Sequence, residues 1–212
     1  MPATTAEIPT LDAGDDHNIC VFCATRDGKD AAFAEAATEL GREVVRAGYG
    51  LVYGGSVLGM MGRVAVAARD SGGDVLAVMM EYLLEREGWD VKVGRTQFVT
   101  SIQECRDVMN ARSRGFVVLP GGIGTFAEII QALDWAFFFE RPKPVVVVNT
   151  GGFYDPLRAL INSVFEQELI ESWKKNTVIF CDSPAEAVAA IARHDNARLP
   201  AAAAALSSSS SL

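Results

Sequence analysis

The sequence predicts a single α/β domain with a doubly wound parallel sheet of the Rossmann-like class. Apolar segments of strand length alternate along the chain with segments of helix length. The strand segments are apolar throughout, which is typical of parallel strands that helices cover on both faces. Glycine-rich turns follow two of these strands. Because ligands of open α/β sheets bind beyond the carboxyl ends of the strands, these two turns mark the expected site.

The individual elements follow from apolar periodicity and from the residues that start or stop helices. The first helix, for example, has Phe33, Ala37 and Leu40 on one face and stops at Gly48. Residues 82–96 are charged and irregular. The predicted strands span residues 18–23, 51–53, 74–79, 97–99, 115–119, 145–149 and 177–181, and the predicted helices span residues 29–47, 60–71, 101–114, 125–139, 155–168 and 184–194.

The chain divides into three parts by composition. We predict a disordered lead over residues 1–16, one folded domain over residues 17–196 and a low-complexity tail over residues 197–212, which is mostly alanine and serine. The N-terminus has no basic start followed by an apolar block, and no apolar run reaches the roughly 18 residues of a membrane span. These features predict a cytoplasmic protein without a membrane partner.

Charge and cysteine content exclude several function classes. The net charge of −8 and the isoelectric point of about 4.8 argue against nucleic-acid binding, but not against a small phosphate ligand held by local donors. Cys20 and Cys23 lie three residues apart in a strand and point to opposite faces, so we expect reduced core thiols and no zinc site. With only His17 and His194, histidine catalysis is disfavoured.

The most informative segment reads GFVVLPGGIGTFAE, an apolar strand that runs through a glycine-rich turn into a helix. Gly121, Gly122 and Gly124 let backbone N–H groups approach an anion closely. The helix, which we expect Thr125 to open, adds its unpaired first-turn N–H groups and the positive end of its dipole. The segment therefore predicts a phosphate site with an acid, Glu128, one helical turn away.

The same residues have a purely structural interpretation. Thr125 and Glu128 have the spacing of a capping box, in which side chain and backbone satisfy each other at a helix start. Two further boxes of this kind begin at Ser101 and Ser183, where nothing indicates chemistry. A plain cap does not need three glycines, so the segment as a whole favours phosphate binding.

The second glycine-rich turn, residues 54–62, resembles a dinucleotide fingerprint only loosely. The G-x-G-x-x-G spacing is absent, and no acid stands about 20 residues further on at a clean strand end, although Asp74 is near. NAD binding is therefore disfavoured. Two glycine turns in one sheet indicate instead a ligand that is held from two sides.

Two charged residues complete the candidate set, although each has an ordinary explanation. Arg112 lies at the end of the predicted helix 101–114, where a cation suits the helix dipole. Glu81 follows a strand, where an exposed loop carboxylate is common. Neither residue stands out by composition alone.

The motifs resemble those of the LOG ("lonely guy") proteins, which are cytokinin riboside 5′-monophosphate phosphoribohydrolases. The signature Pro-Gly-Gly-x-Gly-Thr-x-x-Glu is unbroken from Pro120 to Glu128. The family's Met-His-x-Arg-Lys is similar to Met109 through Ser113, with Asn110 in place of histidine and Ser113 in place of lysine. The turn at 54–62 is similar to a further family motif, in which Ser56 replaces a glycine and Met60 replaces a leucine.

The resemblance implies a function and a set of site residues. It implies hydrolysis of nucleoside 5′-monophosphates by the domain 17–196, without a metal or other cofactor, in a homodimer. It implies Glu81 and Arg112 as the catalytic pair, and Arg114 is the candidate replacement for the lysine that is missing at position 113. The substrate-binding residues that it implies are Gly54, Gly55, Ser56, Met60, Met109, Gly121, Gly122, Gly124 and Thr125, with Glu128 near the ribose.

Two other functions stay open at this point. Related folds carry a molybdenum cofactor without hydrolysing anything, so a nucleotide or cofactor carrier is the alternative. A pyridoxal-phosphate decarboxylase requires a Schiff-base lysine in a pocket, and none of the five lysines lies in a glycine turn.

Overall fold

The computed structural model describes residues 17–82, 93–138 and 143–208, so the predicted disordered lead lies outside the described residues. Seven parallel strands form one sheet in the order β4-β3-β2-β1-β5-β6-β7. The predicted doubly wound parallel fold is thereby confirmed. The strands are β1 Asn18–Phe22, β2 Gly50–Tyr53, β3 Val75–Met80, β4 Arg95–Val99, β5 Gly115–Val118, β6 Val145–Val148 and β7 Val178–Cys181.

Helices cover both faces of the sheet. Their bounds are α1 Ala31–Arg46, α2 Gly59–Asp70, α3 Ile102–Ala111, α4 Ile123–Phe138, α5 Asp155–Glu166 and α6 Pro184–Ser208. Buried residues of α1, α2 and α6 share one core cluster with the sheet. The second cluster lies on the opposite face and includes residues of α3, α4 and α5. Each sheet face is thus buried, which explains why the strands are apolar throughout.

The direction in which successive strands are added to the sheet reverses between β1 and β5. Strands β1 to β4 succeed one another towards one edge of the sheet, whereas β5, β6 and β7 succeed one another towards the other edge. The adjacent strands β1 and β5 therefore form the topological switch point, where the loops that leave their carboxyl ends separate and open a crevice.

Local signals position several helix starts. The Asp30 carboxylate accepts the Ala32 N–H (2.9 Å) and caps α1. The Ser101 and Ser183 hydroxyls accept the N–H groups of the glutamates three residues later, as the two capping boxes predict. These two boxes are structural.

Several helix boundaries differ from the prediction by two or more residues, and two of these differences change an expectation. Helix α4 begins at Ile123, so Thr125 lies inside its first turn and does not open it. Helix α6 continues to Ser208 rather than stopping near residue 194, and His194 consequently lies within the helix. The alanine run at 201–205 has high helix propensity, which outweighs the absence of a core-forming pattern in the predicted tail.

The two thiols of strand β1 and its end face opposite core clusters, as predicted. Cys20 packs in the cluster beneath α3 to α5, and Cys23 packs in the cluster beneath α1, α2 and α6. Both are free, fully buried thiols. Among the described residues, no helix is both long and apolar enough to cross a membrane.

Candidate functional site

Three loops meet at the carboxyl edge of the sheet around the switch point. The Ala24 N–H donates to the Pro120 carbonyl (3.2 Å), which joins the loop after β1 to the turn after β5. The Ala24 carbonyl accepts the Met61 N–H (3.2 Å) and so joins the same loop to α2. A Cβ on Gly59 would lie 2.3 Å from the Arg26 nitrogen, so only glycine permits this packing. Arg26 is an exposed cation at this edge.

The turn between β5 and α4 exposes backbone amides. The Phe126 N–H donates to the Gly122 carbonyl (2.9 Å), so the amides that precede it have no acceptor within the helix. A Cβ placed on Gly122 or Gly124 would meet nothing within 4 Å, whereas one on Gly121 would lie 2.2 Å from the Thr125 hydroxyl oxygen. Gly121 is therefore required for packing, and Gly122 and Gly124 face open space that an anion can enter.

Glu128 belongs to the site rather than to a helix cap. Because α4 begins at Ile123, Glu128 lies in its second turn and cannot act as the partner of an N-cap. The side chain is half-buried, and burial raises the pKa of its carboxyl to about 7. The charge of Arg106 opposes this rise. The carboxyl is consequently poised to change protonation state near neutral pH.

Glu81 also lies at the carboxyl edge. It directly follows β3, and its side chain is exposed. The placement after a strand end agrees with the sequence prediction, whereas its predicted catalytic role stays a prediction.

The structure does not bring Arg112 to this edge. Helix α3 runs antiparallel to the strands and ends at Ala111, and the Arg112 carbonyl accepts the side-chain N–H of Asn18 (2.9 Å), the first residue of β1. Asn18 pairs with Gly50, and the next residue of β2 pairs with Val75. Glu81 therefore lies seven residues further along the strand direction, roughly 23 Å away at 3.3 Å per residue. Within one chain, the predicted pair cannot meet.

The residues around Arg112 are likewise structural. Met109 is 1 % exposed and packs in the core, and the buried Ser113 hydroxyl donates to the Met109 carbonyl (2.9 Å). The Arg114 N–H donates to the Asn18 carbonyl at the amino edge, so Arg114 cannot replace a lysine near the phosphate turn. The prediction that this segment borders the phosphate is wrong for a single chain, because α3 carries it to the opposite edge.

The second glycine turn supplies backbone shape more than ligand groups. Gly55 has a φ of +82°, and a Cβ there would lie 2.9 Å from that of Met79. The Ser56 hydroxyl is buried and accepts the Leu58 N–H (3.2 Å). Met60 is 2 % exposed and packs in the core. The prediction that it lines the site is therefore wrong. Gly54 is half-exposed and adjoins the carboxyl edge.

Asp74 does not occupy the position of a ribose-binding acid. It precedes β3 at the amino edge and pairs with Arg95.

Comparison with known proteins identifies the family. A sequence model of the family described as "possible lysine decarboxylase" matches residues 61–191. Rice (Oryza sativa subsp. japonica) cytokinin riboside 5′-monophosphate phosphoribohydrolase LOG is 35 % identical over 170 residues, which are 80 % of this chain and 70 % of the rice protein. Arabidopsis thaliana LOG4, which bears the same enzyme name, is 34 % identical over 170 residues, 80 % of this chain and 79 % of that protein.

The chain belongs to the LOG family. Its fold is also found outside the phosphoribohydrolases. The solved structure of the Chlamydomonas rheinhardtii Moco carrier protein is similar with a TM-score of 0.61 and 25 % sequence identity, over 83 % of this chain and 95 % of that one. The open α4 turn and the half-buried Glu128 are therefore the features on which a function for this LOG-family chain must rest.

Two arginines near the carboxyl edge of this LOG-family chain were not singled out from the sequence. Arg26 follows β1, and a cation that follows a strand of a parallel sheet could have drawn attention to it. Arg106 lies in the middle of α3, where no motif signals it, and only the packing of α3 beside α4 brings its charge to Glu128. Among the described residues, no three histidine, cysteine or acidic side chains cluster in a way that could hold a metal ion.

Proposed function

We propose that this LOG-family chain hydrolyses the N-glycosidic bond of a nucleoside 5′-monophosphate, a cytokinin riboside or purine, to free base and ribose 5-phosphate. The observation that carries the proposal is the open, glycine-lined start of α4 in a chain 35 % identical to a rice protein named for this reaction. We further propose a cytoplasmic homodimer.

The start of α4 suits the 5′-phosphate. A 16-residue helix presents free amides and the positive end of its dipole at Gly122 and Gly124. Arg26, in the loop joined to this turn by the Ala24–Pro120 hydrogen bond, is the nearby cation that we assign to the phosphate. These local donors offset the net charge of −8, which would otherwise repel the substrate.

The carboxyl groups suit cleavage at C1′. Breaking the bond builds positive charge on the sugar, as in glycoside hydrolysis, and a carboxylate can stabilise that charge or orient the attacking water. Glu81 is the predicted group for this role. Glu128, with a pKa of about 7, can hold a proton for the departing base at neutral pH. The scheme requires no metal or cofactor.

Phosphate binding also contributes to catalysis. Because the phosphate is remote from C1′, its binding energy can hold the sugar in a reactive orientation and lower the barrier. Dephosphorylated nucleosides should therefore react far more slowly than the monophosphates.

The decisive experiment incubates the pure protein with AMP and with isopentenyladenosine monophosphate and measures free base by chromatography. We expect release of base, and loss of release in Glu81→Gln, with the exposed Glu39→Gln as the control that stays active. Tight stoichiometric binding without turnover would instead favour the carrier function of the Chlamydomonas neighbour.

The decarboxylase description has little support from Lys143 and Lys174. Lys143 donates to the Asn110 carbonyl at the amino edge, and Lys174 pairs with Glu171. Neither side chain enters the α4 turn, where a phosphate-bearing cofactor would bind. Lys92 lies outside the described residues.

A further inference from the structure

The loop after β1 lies on the start of α2. A Cβ on Gly59, the first residue of α2, would lie 2.3 Å from the Arg26 nitrogen and 2.5 Å from the Arg26 Cα, so the loop backbone rests directly on this turn. Gly59 and Arg63 are four residues apart and therefore share one face of α2. The next residue of the loop, Asp27, contacts Arg63 on that face. The loop thus contacts α2 at two successive residues.

Arg63 holds both oxygens of the Asp27 carboxylate. Its Nε donates to Oδ1 (2.7 Å) and its Nη2 donates to Oδ2 (2.8 Å), which is the bidentate geometry of a guanidinium on a carboxylate. These hydrogen bonds lower the pKa of Asp27, so its carboxyl stays ionised at neutral pH. The Arg63 and Asp27 side chains are 47 % and 41 % exposed, and exposed ion pairs contribute little to the stability of a fold.

The guanidinium of Arg26 is not engaged in this way, although an aspartate follows it directly. In the part of the chain that the structure describes, no hydrogen bond or ion pair involves its side chain, which is exposed. The same Arg-Asp order occurs at the end of α2, where Arg69 Nε and Nη2 both donate to Asp70 Oδ1 (2.9 and 2.8 Å). Adjacent arginine and aspartate side chains therefore do pair in this protein where no other cation holds the carboxylate.

We propose that Arg63 is a positioning residue for the substrate site: by holding the Asp27 carboxylate, it keeps Arg26 available to the 5′-phosphate. The inference rests on the proposed function, in which Arg26 is assigned to that phosphate. Without Arg63, the Asp27 carboxylate would be free to pair with Arg26 and would compete with the phosphate for the same N–H donors. Arg63 itself does not touch the substrate.

The first test is rescue by a second substitution. Arg63→Gln should lower kcat/KM for AMP about 10-fold, mostly through KM, because it costs one charge-assisted hydrogen bond to the phosphate. The double variant Asp27→Asn/Arg63→Gln should recover most of this loss, because no carboxylate remains to pair with Arg26. If Arg63 served only to anchor the loop, the double variant would stay as impaired as the single one. Arg69→Gln, which releases Asp70 on the same helix, is the control that keeps full activity.

The second test asks whether Arg63 acts through Arg26. Arg26→Gln should itself lower kcat/KM for AMP about 10-fold or more. Adding Arg63→Gln should then lower it no further, because two residues that act through one contact are not additive. Additive losses would show that Arg63 affects the substrate by another route, and the inference would be wrong. Unfolding curves establish that each variant folds, and Arg63→Lys, which keeps a cation beside Asp27 and should lose less, serves if Arg63→Gln does not fold.

The outcomes separate this inference from the proposed function. If the wild type releases base from AMP and Arg63→Gln does so with the same KM, the role of Arg63 is wrong and the hydrolase activity stands. If the wild type binds AMP in calorimetry without turnover, the hydrolase function is wrong and the Kd values decide the inference. Weaker binding in Arg63→Gln that Asp27→Asn restores would support the role of Arg63, and an unchanged Kd would overturn it.

Discussion

At the scale of single residues, adjacent glycines of the α4 turn have different surroundings. Gly121 is packed against Thr125, where a Cβ would lie 2.2 Å from the hydroxyl oxygen, whereas Gly122 faces open space. The sequence alone presents both as members of one glycine-rich turn. The structure separates a packing glycine from one that leaves room for a ligand.

This difference predicts distinct phenotypes for two alanine variants. Gly121→Ala should lower the free energy of unfolding by about 1–3 kcal/mol, because the methyl group overpacks the helix start. Gly122→Ala should lower the free energy of unfolding by less, about 0.5–1 kcal/mol, because alanine is a poorer N-cap than glycine. It should also raise the KM for AMP, because its methyl group occupies the anion position. Urea unfolding and steady-state kinetics measure the two effects. A Gly122→Ala variant with unchanged KM would contradict phosphate binding at this turn.

Glu128 gives the protein a predictable pH dependence of stability. Its carboxyl has a pKa of about 7 in the folded chain and about 4.5 when exposed. Between these values the unfolded chain releases the proton and the folded chain keeps it, so stability falls as pH rises through this window. Between pH 4.5 and 8, we expect the free energy of unfolding of the wild type to fall by up to about 3 kcal/mol more than that of Glu128→Gln. Parallel pH profiles of wild type and variant would refute this assignment.

At the scale of elements, one tyrosine holds the β5 end to the loop after β6. The Tyr154 hydroxyl is buried and donates to the Leu119 carbonyl (2.9 Å), just before the phosphate turn. Its ring also packs edge-on against Phe126 in the first turn of α4. The position of the turn therefore depends on an element that is distant in sequence.

Tyr154→Phe should destabilise the protein by about 1–3 kcal/mol, because it leaves a buried carbonyl without a donor. Tyr49→Phe is the matched control, since its hydroxyl bonds the partly buried Asp195 (2.9 Å) and solvent can replace it. Thermal unfolding measures the loss of stability in each variant. If both variants lose the same stability, burial does not decide how much such a hydrogen bond contributes.

The order of the elements could be predicted from the sequence, whereas the position of several site residues could not. Strand and helix order followed from apolar runs and glycine stops, because a buried parallel sheet imposes them directly. Glu128 and the open glycines were found because a motif concentrates them in one turn. Arg112 was misplaced because a linear motif does not reveal that α3 carries its last residues to the opposite edge of the sheet. Arg106 was missed because only helix packing joins it to Glu128.

At the scale of the whole molecule, one apolar face remains uncovered in the single chain. Ile123, Phe126 and Ile130 follow one side of α4 and are 81 %, 37 % and 56 % exposed. A groove of about 250 Å³ between α4 and α5 continues this face towards Leu160, which is 62 % exposed. An apolar surface of this kind is typical of an interface, and it supports the proposed homodimer.

The dimer is tested by light scattering. We expect wild type at twice the chain mass, Ile130→Asp and Leu160→Asp at the mass of one chain, and Val66→Asp, on the opposite face, unchanged, because a charge at the centre of an apolar interface is strongly unfavourable. A monomeric wild type at micromolar concentration would exclude the homodimer.

The buried thiols can report local opening of each of the two helical layers. Cys20 and Cys105 are shielded by α3 to α5, Cys23 is shielded by α1, α2 and α6, and burial keeps all three as unreactive thiols. An alkylating reagent can therefore modify each cysteine only while its own helical layer is detached. Rates of modification, resolved by mass spectrometry, would time the loosening of the two layers separately, and saturating nucleotide should slow the α3-to-α5 layer selectively.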